Sequence, residues 1–174
     1  MKLLKTFTDP IYPDAWFEIE KREAARTVLI DENNLIPIIY SENFDFCKIP
    51  GWGIDLWENK IDAAKREAME ECWSEIEILW EIWYTEEKRS ATKYSWIHNL
   101  NQFSYWYYWK VLSKWETSFT SFEIKEWFKL LWLTYEEVIK KFESCNPQHI
   151  EWILLNQRDK LFLLEWYKLL QKTN

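Results

Sequence analysis

The apolar positions change period along the chain, and each change marks an element. Ala24–Asp31 (AARTVLID) and Leu35–Tyr40 (LIPIIY) read as strands, and Phe46–Pro50 as a shorter one. Asn33-Asn34 suits a hairpin turn between the first two, because asparagine tolerates positive φ. From Glu58 to Cys72 the spacing becomes helical, with Ile61, Ala64, Ala68 and Cys72 forming one stripe of mostly small residues. Glu75–Tyr84 alternates again, residues 85–101 read as a polar loop, and Gln102–Leu112 and Phe128–Leu133 are strand-like. Thr134 then stands as N-cap before YEEVIKKF, and Asn156–Gln171 is a terminal amphipathic helix. Residues 1–21, with Pro10 and Pro13, read as an extended arm, and residues 22–174 as a single domain. Strands and helices in this order predict an α+β or α/β fold.

Composition adds one normal and one abnormal feature. At 48% hydrophobic, 29% charged and net charge −7, the 174-residue chain suits one soluble domain. Its acidity argues against nucleic acid or an anionic membrane as partner. No apolar run approaches the roughly 18 residues of a membrane span, and the N-terminus lacks a secretory pattern. Cys47, Cys72 and Cys145 show no metal-site spacing, so reduced thiols in a cytoplasmic protein are expected. The abnormality is 14 Trp against 2 Gly, where average usage gives about 12 glycines.

The candidate chemistry lies on the central helix. Glu67, Glu70 and Glu71 stand at i, i+3 and i+4, which predicts three carboxylates on one face, opposite the small apolar stripe. Such a cluster is either a solvated acidic face relieved by Lys65 and Arg66, or a set of hard oxygen ligands for Mg²⁺ or Mn²⁺. A turn containing Gly51 and Gly53 leads to Glu58, and eight residues later come Arg66-Glu67, then Glu70-Glu71. This pattern resembles the signature of the Nudix hydrolases. Glu58, Arg66, Glu67, Glu70 and Glu71 match, both signature glycines fall on tryptophan (Trp52 and Trp73), and Ser74 replaces the final aliphatic residue. The likeness extends over most of residues 22–172.

The resemblance implies a Nudix-like α/β/α sandwich with a mixed β-sheet between helices. It also implies hydrolysis of a nucleoside diphosphate linked to another group. Metals would be held by Glu67, Glu70, Glu71, the carbonyl at Trp52 and Glu126. The general base would be Glu67, with Glu123 and Glu126 as rivals, and Glu58 and Arg66 would orient the loop and helix. Two other readings stay open: a Nudix-fold protein that binds a nucleotide without cleaving it, and an aromatic binding module on YSWIHNLNQFSYWYYWK. Tyr12, Phe17, Tyr105 and Tyr107 are candidate base-stacking residues, Arg26 reads either as a surface arginine or as a phosphate contact, and His98 and His149 make no catalytic pair.

Trp57, Trp115, Trp127 and Trp152 also stand where turns favour glycine, and Trp80 and Trp83 where the family often has it, whereas Trp132 is where the family has tryptophan. A gene that encodes glycine by UGA, read as though UGA meant tryptophan, accounts for the exchange: glycines from GGN codons, Gly51 and Gly53, survive. The competing expectation is a genuinely tryptophan-rich protein.

Overall fold

In chain order the elements are β1 (Lys2–Thr8), β2 (Ile19–Ile30), β3 (Ile36–Ser41), β4 (Phe46–Lys48), α1 (Lys60–Cys72), β5 (Ser74–Arg89), β6 (Asn99–Lys114), β7 (Phe128–Leu133), α2 (Tyr135–Ser144) and α3 (Ile150–Thr173). The structure is a computed structural model and describes residues 1–51, 53–91, 98–114 and 128–173. β5 and β6 pair antiparallel. β1 joins β5 and β2 joins β6, both in parallel, giving a mixed sheet in the order β1-β5-β6-β2. β4, β3 and β7 form a second, antiparallel sheet that the sequence did not suggest.

The period-two pattern of β6 divides the core. Trp106 and Tyr108 face Val138 and Phe142 of α2 and Phe162, Leu163 and Trp166 of α3. Tyr107, Trp109 and Val111 face Ala63, Ala64, Ala68 and Cys72 of α1. Helices therefore cover both faces of the mixed sheet, a mixed α/β architecture. The small residues of α1 bring its backbone close to β2 and β5, which sets where its polar flank emerges. Among the described residues no helix is long and apolar enough to cross a membrane.

Several expectations change. The N-terminal segment is not simply an arm, because Lys2–Thr8 is an edge strand of the mixed sheet. The Asn33-Asn34 turn exists, with Asn34 at φ 60°, but β2 and β3 do not form a hairpin. Asp31 accepts hydrogen bonds from the backbones of Asn33 and Leu35, and the turn passes the chain from one sheet to the other. The supposed loop 85–101 holds the end of β5, to Arg89, and the start of β6, from Asn99. Trp152 lies in the first turn of α3, stacked on Phe46 with centroids 4.4 Å apart, so a turn there is excluded.

Candidate functional site

The loop between β4 and α1 is pinned by hydrogen bonds from three elements. Ile49 N donates to Asp159 Oδ2 of α3 at 2.7 Å. Pro50 O accepts from Thr27 N at 3.1 Å, and Gly51 O from the Arg26 guanidinium, both on β2. Gly51 N donates to Glu71 Oε2 of α1 at 2.6 Å. Gly51 has φ 130°, and a Cβ there would stand 2.3 Å from Ala25 O, so only glycine fits beside β2. Gly53 bridges Ala24, and its carbonyl accepts from Arg66 Nη2 at 3.3 Å.

Below this loop the acidic residues of α1 divide into two kinds. Glu67 and Glu71 are buried, at 4% and 6% exposure, whereas Glu70 is exposed. Three carboxylates opposite the apolar stripe is therefore corrected: residues 63–64, 67–68 and 71–72 share one face at helical spacing, so Glu67 and Glu71 flank the stripe and turn inward. A wholly solvated acidic face is excluded with it. Arg66 gathers the cluster. Its Nε and Nη2 donate to both oxygens of Glu58, at 3.0 and 3.1 Å, and its Nη1 to Glu67 at 2.5 Å and Glu70 at 3.0 Å. Glu58 also accepts from Asp55 N, so one arginine ties the approach loop to the helix. Asn59 caps α1 by accepting from Ile61 N and Asp62 N.

The electrostatics follow from burial. The Arg66 hydrogen bonds hold Glu58 below its ordinary range. Glu67 is pushed up to about 7, first by burial and then by the negative charge of Glu71, and Arg66 offsets this only in part. Glu71 is paired with buried Lys48 of β4. Lys48 was missed in the sequence reading; its signal is a lone cation in the apolar run FCKIP. Arg26 is not a surface residue. It is buried, and burial followed by the charge of Arg158 lowers it to about 10. With Glu87, Arg158 and Asp159 it forms a buried ionic group beneath the loop, joined by Arg158 to Glu87 at 3.0 Å and to Asp159 at 2.6 Å.

Carboxylates and a loop carbonyl are donors that suit a hard divalent cation, and the under-compensated charge of Glu67 beside Glu71 is one such an ion would relieve. Among the described residues no three His, Cys, Asp or Glu side chains converge as a metal-holding group; Arg66 and Lys48 hold these carboxylates instead. Trp52, Glu123 and Glu126 lie outside the described residues, as do Trp115 and Trp127. The aromatic candidates scatter. Tyr107 is core, Tyr105 donates to Glu23 at 2.5 Å, and Tyr12 and Phe17 precede β2. An open depression of about 280 Å³ lined by Glu18, Ile19, Glu20 and His98 contains none of the acidic cluster.

Two tryptophans occupy left-handed backbone. Trp73, the C-cap of α1, has φ 48° and ψ 47°, and its N–H groups differ: the backbone one reaches Ala68 O and Met69 O, while indole Nε1 is buried without a partner among the described residues. Trp57 has φ 73° and is 100% exposed. The β5–β6 register slips between Ile78 and Trp80 and between Glu81 and Tyr84, so Trp80 and Trp83 stand at bulges. No protein-family model and no curated protein matches this sequence.

Proposed function

We propose that this chain is a metal-dependent hydrolase of the Nudix type, cleaving the diphosphate of a nucleoside diphosphate linked to another group, and that its working polypeptide carries glycine at 52, 57 and 73. The observation that carries this reading is the meeting of Glu58, Arg66, Glu67 and Glu70 in one ion-paired cluster under the Gly51–Gly53 loop, with Glu71 bonded to Gly51 N. Glu67 and Glu70 are helix neighbours of Arg66, but Glu58 reaches the same guanidinium from the loop before the helix, which local helix geometry does not require. Helices on both faces of a mixed sheet, with the acidic helix directly after the loop, support the same reading.

Mg²⁺ or Mn²⁺, when bound, would neutralise phosphate oxygens and acidify water for attack on phosphorus. Glu67, Glu70 and Glu71, with the carbonyl at 52 and Glu126, would hold it. Glu67 would be the general base; its rise to about 7 belongs to the metal-free chain, and a bound cation would lower it. Arg66 and Glu58 fix the loop against the helix, and Gly51 N orients Glu71. The positive φ at 57 and 73 favours glycine there on steric grounds. The aromatic-module reading loses its support because Trp106, Tyr107 and Trp109 are core residues.

The test is a screen of nucleoside diphosphate derivatives and nucleoside triphosphates, using the protein with glycine at the three positions. Mg²⁺-dependent release of a nucleotide product that stops with chelator supports the hydrolase. Binding without release identifies a nucleotide-binding protein and overturns the hydrolase, and an outcome with neither binding nor release overturns the Nudix-type reading as well.

A further inference from the structure

Cys47 and Cys145 are 98 residues apart in sequence, yet their Sγ atoms stand 3.3 Å apart. Cys47 is fully buried in β4, and Cys145, the C-cap of α2, is half-buried. The third thiol, Cys72, is buried at the end of α1 in the separate cluster on the other face of the mixed sheet. Cys72 packs as a small hydrophobe. The pair differs from it in that one of its residues, Cys145, is only half-buried and has a second sulfur in contact with its own.

The surroundings divide the roles. Cys145 Sγ also lies 3.3 Å from Lys141 O, one turn back on α2. The charged groups facing it are Lys141 of α2 and Asp45 of the β3–β4 turn. A hydrogen bond from Cys47 holds the Cys145 thiol below its ordinary range, more than burial raises it, with Lys141 assisting. The same bond and burial push Cys47 up. The sulfur that ionises is thus the one a solute can meet.

We infer that Cys145 and Cys47 form an oxidisable dithiol, in which Cys145 reacts with a hydroperoxide and Cys47 resolves the product to a disulfide. The Cys145 thiolate attacks the peroxide; an S–O bond forms, the O–O bond breaks, and the departing hydroxide or alkoxide takes up a proton. Cys47 sulfur then attacks Cys145 sulfur; an S–S bond forms, the S–O bond breaks, and water leaves with the Cys47 proton. Two thiols lose the two electrons that one hydroperoxide gains. The sulfurs must close from contact to the bond length of about 2.05 Å. The bond would tie β4 to the end of α2 and restrain the strand from which Lys48 reaches Glu71. None of this rests on the hydrolase reading.

The test oxidises the full chain with one equivalent of hydrogen peroxide, alkylates the remaining thiols, and maps peptides without reductant. The expected result is a Cys47–Cys145 linked peptide with Cys72 alkylated, and an unfolding midpoint raised by about 9–19 °C, reversed by dithiothreitol, as loop-closure entropy over so long a loop gives. Cys47→Ser should leave a sulfenic acid on Cys145 that a 1,3-dione traps, and Cys145→Ser should slow thiol consumption at least tenfold. Equal oxidation of all three cysteines, linkage through Cys72, or no linked peptide overturns the inference. The mapping uses the unsubstituted chain, so a variant that fails to fold leaves the test standing.

Discussion

Glu67 shares a buried helix face with Glu71; burial first, and then the charge of Glu71, makes its proton unusually hard to remove. Because its carboxyl rises from an ordinary 4.5 to about 7, the folded chain binds more proton than the unfolded chain between those values. Glu67 therefore contributes stability that is fully present below about pH 4.5 and lost as pH rises through 7, a swing of about 3 kcal/mol at most. Glu67→Gln should remove this slope, so that in chelator the variant gains on the parent as pH rises; urea unfolding at several pH values measures the difference. A second prediction concerns backbone handedness. Trp57→Gly and Trp73→Gly should each stabilise the chain by about 1 kcal/mol or more, read as a rise of roughly 2–4 °C in unfolding midpoint, since glycine adopts their positive φ without strain. The gain at 73 should be the larger, because its buried indole N–H is also removed. A fall in midpoint for both would favour genuine tryptophan, as would UGG codons at 52 and 73.

At the scale of elements, α1 and its loop act as one unit because charges cross between them. Lys48 comes from β4 and meets Glu71 with both side chains nearly buried, so removing the cation strands a carboxylate in the interior. Lys48→Met should cost about 3–5 kcal/mol in chelator, and Mg²⁺ should restore part of the loss if the ion takes over the compensation; denaturant titrations with and without Mg²⁺ check this. How much of this unit was legible depended on range. The Glu58, Arg66, Glu67, Glu70 and Glu71 spacing was visible in the chain, and so was the Thr134 cap, which the structure completes as a capping box with Glu137. The inward turn of Glu67 and Glu71 was derivable from their offset to Ala64 and Ala68 but was read on the wrong side of the helix. The partners of Lys48 and Asp159 were not legible: Lys48 stands out as a lone cation, but it meets Glu71 on the next element, and Asp159 meets Ile49 from 110 residues away, and local composition names neither partner.

For the whole molecule, the same limit explains the sheet. β7 was read with its observed ends, since its apolar run is bounded by its own signals. The partners of β1 and β2 were not, because both pair in parallel with strands some 80 residues away, and parallel pairing leaves no turn in the sequence to announce it. The mixed sheet between helices was foreseen and the second sheet was not, as β3 continues from β2 through a turn that looks like a hairpin and is a crossing between sheets. This crossing sends β4 and its loop over the end of α1, which is how Arg26 of β2 and Glu71 of α1 come to hold Gly51 while Asp159 of α3 holds Ile49. The most direct measurement is a Mn²⁺ titration followed by electron paramagnetic resonance, on the protein with glycine at 52, 57 and 73. The account predicts bound Mn²⁺ that is lost in Glu67→Gln with Glu71→Gln; an absence of binding, or binding that the double substitution leaves unchanged, would contradict it.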